Sequence, residues 1–529
     1  MSFPNDLPSD GGLSILSQET TKISYLVLAV SLAFFYFLRR AKATNYPIVN
    51  PRKWFEFSDA RVKKDFMISA RTLVHEGLKK YPGRPFKVNT DMTDMIVLPN
   101  NYADEVRNIR ELSFPASIRK HFYSDLKSFE SMAPAGGNGS QLAKSVVQRQ
   151  LTHQLAYVTQ PLSEECATVL QEVLTDNKDW HELPSLMQST LMIVYRLSSR
   201  VLLGDELCHD EYWRKIVMEH TTTVMDAVLQ VRMWPSWLRP IVHWFLPSCR
   251  ESRKQLRRAR EIIDPVLEKR RELRKELIAK GESPKMMNDG LEWLEENSKG
   301  ENYDAAILQL ALSMVAMHTT TDLLTQSLLD IMTHPEIIGS LRKEIIETMG
   351  QGRWDRTSLQ NLKLLDSVLK ETQRMKPIEM ATMKRVALKD IKLSDGSQIP
   401  KGGDMIVYAG NHWDPSVHED PNTWDPYRFY NRRQAAKTEK EEKQYLLSST
   451  SPDHMAFGHG QHACPGRFFV ADEIKIALCH LLLKYDWKLA EGCNADSMTM
   501  GFTLLANPIA KVMVKRREEE ISLAGRIDS

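Results

Sequence analysis

The stretch from Tyr303 to Thr333, YDAAILQLALSMVAMHTTTDLLTQSLLDIMT, is apolar on nearly every side. A helix without a polar face cannot lie on a water-exposed surface; it must run through the middle of a body with other elements packed around it. At 529 residues the chain is long enough to build that surround. Periodicity elsewhere is mostly helical. Gln141 to Leu329 reads as a series of amphipathic or apolar helices, among them a charge-rich, solvated one from Arg250 to Lys280 interrupted at Pro265. β-signals come late, as short alternating runs between Arg385 and Gly410 with a turn at Asp395-Gly396. The expected fold class is therefore mainly α with a small, segregated β region.

A net charge of +2 gives no case for nucleic acid as a partner. The six cysteines (Cys166, Cys208, Cys249, Cys464, Cys479 and Cys493) are scattered and form no CxxC pair. That argues against a disulfide framework or a zinc ribbon, and for a body in a reducing compartment. Ile23 to Leu38 is uncharged and as a helix spans roughly 24 Å, close to the core of a thin bilayer. Asp6, Asp10 and Glu19 precede it, whereas Arg39, Arg40 and Lys42 follow it. This is the reverse of a signal peptide and sets everything after Arg39 in the cytosol. The expected organisation is an N-terminal segment, 1–45, with a transmembrane anchor at about 23–38, and a catalytic body, 46–529. Met233 to Pro247 holds three tryptophans and two internal prolines; it suits an interfacial loop or ordinary buried packing. Asn431 to Gln444 reads as a solvated loop that could offer basic docking charge.

One cysteine sits in an unusual frame. AFGHGQHACPGR, Ala456 to Arg467, surrounds Cys464 with glycines, histidines and a proline. A zinc site would draw on His454, His459 and His462, but no ligand pair across a knuckle or helix is evident. A nucleophile would need a base and an oxyanion hole, for which no signature occurs. Thiolate ligation of haem iron explains the frame best. Gly460 permits a tight turn, Pro465 fixes the backbone after the sulfur, and Gly466 allows backbone N–H groups to approach it. The apolar run Arg467 to Tyr485 then begins a helix whose N-terminus stabilises a thiolate.

Phe457, Gly460, Cys464 and Gly466 resemble the Phe-x-x-Gly-x-x-x-Cys-x-Gly haem signature of the cytochrome P-450 monooxygenases. Glu371 and Arg374 in KETQR match the family's Glu-x-x-Arg pair, and Arg428 in DPYRF stands at its third structural charge. The resemblance implies a cytochrome P-450-like fold and haem b with Cys464 as axial ligand. It also implies a buried Glu371–Arg374–Arg428 network, and Arg385 and His462 as contacts of the haem propionates. On the oxygen side, Thr319 matches the threonine that lines the oxygen pocket, although threonines in such a helix also bond back to their own carbonyls. His318 stands where the family has an acid and Ala316 where it has glycine, so an imidazole would take part in proton delivery. The usual Trp-x-x-x-Arg falls near Lys144 and Gln148, with Arg149 adjacent, and is left unassigned.

The resemblance implies a monooxygenase of the endoplasmic reticulum membrane, single-pass, with a cytosolic catalytic domain. It would use O₂ and electrons from NADPH through a separate NADPH–cytochrome P-450 reductase. The His-Thr-Thr variant resembles filamentous-fungal members acting on terpenoid and indole-terpenoid specialised metabolites. Phe114–Phe122, Ile307–Ala316, Ile378–Met383 and Met500–Thr503 would line a pocket for a small, bulky, apolar substrate. The alternatives are a haem-thiolate isomerase or dehydratase that needs no O₂, and a non-catalytic haem sensor.

Overall fold

The apolar stretch forms one unbroken helix, Ala305–Thr333. Asp304 caps it by accepting from the Ile307 N–H, and Arg260 from a neighbouring helix bonds the same carboxylate at 2.8 Å. By length and composition alone this helix could cross a membrane, but most of its most apolar window is buried inside the fold. It is a core helix.

The computed structural model describes Tyr25, Val27, Val30, Ser31 and residues 46–523 apart from 57, 137–139, 283–286 and 351–353. The chain divides into two compact units, Met1–Pro47 and Ile48–Ser529. In the first, Tyr25, Val27, Val30 and Ser31 are helical and exposed. The rest of the anchor expected at about 23–38 lies outside the described residues.

The second unit is mainly helical with small sheets. The helices that position the site are α1 (Ala60–Lys80), α2 (Phe114–Phe122), α3 (Thr152–Leu174), α4 (Leu186–Leu203), α5 (Glu211–Arg232), α6 (Pro247–Ala279), α7 (the core helix Ala305–Thr333), α8 (Lys363–Met375) and α9 (Arg467–Lys484). α7 packs on α4, α5, α6, α8 and α9, which is the surround its composition demands. Leu310, Leu324, Leu478 and Leu481 have no exposed surface. Each such side chain stabilises the fold by roughly 2 kcal/mol through burial alone.

The main sheet joins β1 (Phe86–Asn89), β2 (Asp94–Leu98), β3 (Leu112–Ser113), β4 (Ala381–Ala387) and β5 (Asp404–Tyr408) in the order β1-β2-β5-β4-β3. Only β2 and β5 run parallel, with Ile96 opposite Met405 and Leu98 opposite Val407. The Asp395-Gly396 turn closes a small hairpin, Ile391–Lys392 against Gln398–Ile399, with Gly396 at φ 86°.

Two local expectations need correction. α6 continues through Pro265 without interruption. The proline lies on the exposed side, where water can serve the carbonyl it leaves unpaired, while buried Ile263 and Leu267 hold the helix down. Asn431–Gln444 is not a loop: Arg428–Ala435 and Glu439–Gln444 are helical, the latter capped by Thr438. The tryptophan-rich segment contains the short helix Arg239–Val242; of its two readings, the interfacial one fits the exposed side chains, although His243 is buried. Met233 is 87% exposed, Trp237 73% and Phe245 65%.

Glu473 in the middle of α9 has no exposed surface and accepts one bond, from the Ser198 hydroxyl of α4 at 2.7 Å. Its other oxygen has no partner, and burial raises its pKa from 4.5 to about 8. Between those values the unfolded chain releases a proton that the folded chain keeps, so stability falls as pH rises through that window. Glu473→Gln keeps the acceptor and removes the ionisation. Melting curves across the window are expected to show the variant more stable than wild type by a few kcal/mol at the alkaline end and nearly equal to it at the acid end.

Candidate functional site

Cys464 is held by its own loop. Its N–H donates to the Phe457 carbonyl at 2.8 Å, Gly458 N–H to Met455 at 2.8 Å, and Ala463 N–H to Gly460 at 3.0 Å. Gly460 has φ 77°, and a Cβ there would lie 2.5 Å from both Cβ and O of Arg107, so no other residue fits. Gln461 fastens the same point, donating to Arg107 and Ile109 carbonyls. Arg467, the first residue of α9, donates to the Cys464 carbonyl at 2.7 Å and to Ser448 at 2.9 Å. Burial pushes the Cys464 thiol up; hydrogen bonds from the Gly466 and Arg467 N–H groups and the Arg467 charge oppose it. The helix start therefore delivers two N–H donors and one cation to the sulfur.

Beneath this loop lies a buried ion network. Arg374 donates to Glu371 from Nε and Nη2, both at 2.8 Å, and Arg428 Nε donates to the same carboxylate at 3.0 Å. Glu371 and Arg374 have no exposed surface. Both arginines also hold carbonyls of the 412–423 segment: Arg374 bonds His412 and Pro421, Arg428 bonds Glu419 and Thr423. His412 carries the link onward. Its Nδ1 donates to the Arg374 carbonyl at 3.0 Å, and its Nε2 accepts from the Met455 N–H at 2.9 Å. Both bonds together require a neutral ring. Burial and the Arg374 charge ensure it, pushing the imidazole down to about 3.

Arg385 sits on β4 just after a bulge at which Met383 takes φ 56°. Such a bulge re-aims the side chains that follow it. The Arg385 guanidinium is almost fully buried and donates only to carbonyls: Val106 at 2.9 Å, Arg107 at 3.1 Å and His459 at 3.3 Å. Its Nε has no partner, and burial lowers its pKa to about 10. His462 is pushed down to about 4, by burial first and then by the charges of Arg385 and Lys144. The Phe114 ring lies 6.1 Å from the His462 ring. Three nitrogen groups thus share a region, and the arginine among them is buried without a carboxylate.

α7 supplies the other elements. Val315 is 57% exposed and Thr319 is exposed, although the helix around them is buried. Val315 and Thr319 are the exposed positions in this stretch of α7. Thr320, Thr321 and Thr325 bond their i−4 carbonyls at 2.6–2.8 Å, whereas Thr319 reaches Val315 only at 3.3 Å. Its hydroxyl is the least committed of the four. His318 is half-buried; burial lowers its pKa, and its Nε2 is buried without a partner.

The zinc reading fails on geometry. His454 bonds Gln373 and stacks on His412, while His459 lies against Arg107 and Asp104. All six cysteines are free. Two features escaped sequence reasoning. Asp366 on α8 forms a second buried ion cluster, 2.5 Å from Lys475 of α9 and 3.7 Å from Arg433. The helix through Val146–Leu151 is a π-turn, with Val147 facing Gly466. Lys144 lies in the helix just before this turn, and Gln148 and Arg149 lie within it.

Comparison with known proteins agrees with this arrangement. A family model described as cytochrome P-450 matches residues 70–516. The chain is 41% identical over 502 residues to cytochrome P-450 monooxygenase adrA of Penicillium rubens, covering 94% of this chain and 97% of that protein. It is 43% identical to cytochrome P-450 monooxygenase hepE of Aspergillus oryzae, covering 96% and 92%. A third relative, cytochrome P-450 monooxygenase 1 of Gibberella fujikuroi, is 47% identical over 84% of this chain and 100% of its own length.

The ion network yields a stability prediction. Arg374→Leu leaves Glu371 with one cation and frees the His412 carbonyl, so folding should weaken by about 3–5 kcal/mol. Denaturant unfolding measures it. Arg374→Lys should recover only part, because an ammonium cannot span both oxygens.

Proposed function

Since the chain belongs to the cytochrome P-450 family, whose members use haem with a cysteine thiolate as axial ligand and take electrons from a reductase partner, we propose that it hydroxylates or further oxidises a bulky apolar specialised metabolite of terpenoid or indole-terpenoid type. The observation that carries the reading is the Cys464 sulfur at the start of α9, with two N–H donors aimed at it and a buried, acid-free cation nearby.

The residues present fit haem. Haem brings two carboxylates, and Arg385 is a buried cation whose Nε has no partner, with Lys144 and His462 beside it. Cys464 would hold the iron, and Phe457, Gly460 and Gly466 shape the loop around it. When bound, haem supplies the activation of O₂ that oxidises a C–H bond. Every other part falls to the chain. The Gly466 and Arg467 N–H groups restrain the electron density that the sulfur donates. The Thr319 hydroxyl, loosely bonded to its own helix, holds a water or passes a proton. His318, its imidazole pKa lowered by burial and its Nε2 buried without a partner, accepts a proton or orders a second water. The Val315 and Ala316 surface beside Thr319 is apolar, which suits an apolar substrate and keeps bulk water out.

The electron source in this reading is NADPH through NADPH–cytochrome P-450 reductase, at the endoplasmic reticulum membrane. The catalytic body, residues 46–529, is cytosolic and held by the single anchor at about 23–38. The exposed Met233, Trp237, Ile241 and Phe245 support a second attachment, since aromatic and aliphatic side chains interleaved with Arg239 suit the headgroup zone.

Two tests follow. Cys464→Ala should abolish the thiolate-type Soret band of the ferrous–carbon monoxide complex. Thr319→Ala should leave thermal stability within about 0.5 kcal/mol, because its hydroxyl makes only one long bond, while raising peroxide release per NADPH consumed. Unchanged coupling removes Thr319 from proton delivery, and turnover without NADPH or O₂ replaces the monooxygenase with the isomerase or dehydratase.

A further inference from the structure

Away from the Cys464 loop, Glu165 on α3 meets Cys208 and His209, in the turn between α4 and α5. One ligand atom from each lies within 4.8 Å of the other two; among the described residues no other set of three histidine, cysteine, aspartate or glutamate side chains is so placed. The His209 Nε2 is 3.1 and 3.0 Å from the two Glu165 oxygens. Cys208 has no exposed surface and Glu165 is 6% exposed, whereas the His209 side chain is 50% exposed. The set therefore has a closed floor of sulfur and carboxylate under an imidazole at the surface.

From this placement we infer that Glu165, Cys208 and His209 bind a borderline-soft divalent cation, Zn²⁺ above all. Sulfur, imidazole nitrogen and carboxylate oxygen together are a zinc donor set, and three protein ligands leave the fourth position to water. With zinc–nitrogen and zinc–oxygen distances of about 2.0 Å, neighbouring ligand atoms lie roughly 3.3 Å apart. The imidazole and carboxylate already have nearly that spacing, so only the sulfur must close in. Binding replaces the Cys208 S–H proton, which leaves to solvent, and the imidazole keeps its proton on Nδ1. The charges then balance: Zn²⁺ is matched by the thiolate and the Glu165 carboxylate. Arg196, which donates to Glu165 at 2.6 Å, keeps its second carboxylate, Glu172, at 2.7 Å. The ion would tie α3 to the turn that launches α5, whose first turn Asp210 caps at Trp213.

The test uses the full chain with haem, stripped by chelator and titrated with ZnCl₂. Zinc-edge X-ray absorption is blind to the haem iron. It should show one equivalent with one sulfur at about 2.3 Å and nitrogen or oxygen neighbours at about 2.0–2.1 Å. Zinc should raise the melting temperature of wild type. Cys208→Ser should remove the sulfur shell, and His209→Ala, at an exposed position that does not threaten folding, should weaken binding at least tenfold. No stoichiometric zinc, or a sulfur shell and affinity that survive in both variants, overturns the assignment.

Discussion

The thiolate loop hangs from one carboxylate. Glu371 has no exposed surface and two arginines on it, and a buried charge of that kind is tolerable only while every partner stays in place. The arginines' remaining donors are spent on the carbonyls of the 412–423 segment, which the network thereby fixes in space. From there His412 passes position to Met455, and the Met455 carbonyl receives Gly458 at the head of the Cys464 loop. Each link is short, directional and shielded from water, so the sulfur inherits its place from an electrostatic contact it never touches.

The two faces of the site are built on opposite principles. On the sulfur side almost every polar atom is committed: loop N–H groups to loop carbonyls, Arg467 to Cys464 and Ser448, Gln461 to Arg107 and Ile109. On the α7 side the groups are left loose. Thr319 makes a long bond and His318 offers an unpartnered nitrogen. In the proposed mechanism rigid ligation and mobile protons are different requirements, and they fall on different elements. Arg385 stays buried with only carbonyls for company, an arrangement that favours an anionic partner.

What the sequence made legible was what depends on local composition. The core helix α7 followed from its lack of a polar face, and α9 from the apolar run after Cys464. The loop around the cysteine was read from its glycines, and Gly460 does require φ 77° against Arg107. Glu371, Arg374 and Arg428 were legible through resemblance alone, because an i,i+3 pair on a helix says nothing of burial. The illegible parts join distant residues or alter backbone geometry without a residue signal. Asp366 meets Lys475 across more than a hundred positions, and Glu165 finds Cys208 and His209 only when α3 lies beside the turn after α4. Pro265 misled because its effect on a helix depends on which side faces water.

The π-turn at Val146–Leu151 has one more consequence. A wide turn absorbs one surplus residue without changing the direction of the helix axis, so everything before it is rotated by roughly 100° relative to a regular helix. Lys144, whose charge acts on His462, lies on the side before the turn. Shortening the segment by one residue would leave a perfectly good α-helix and swing the lysine a quarter-turn away. The position of this charge is thus encoded in chain length rather than in the identity of any side chain.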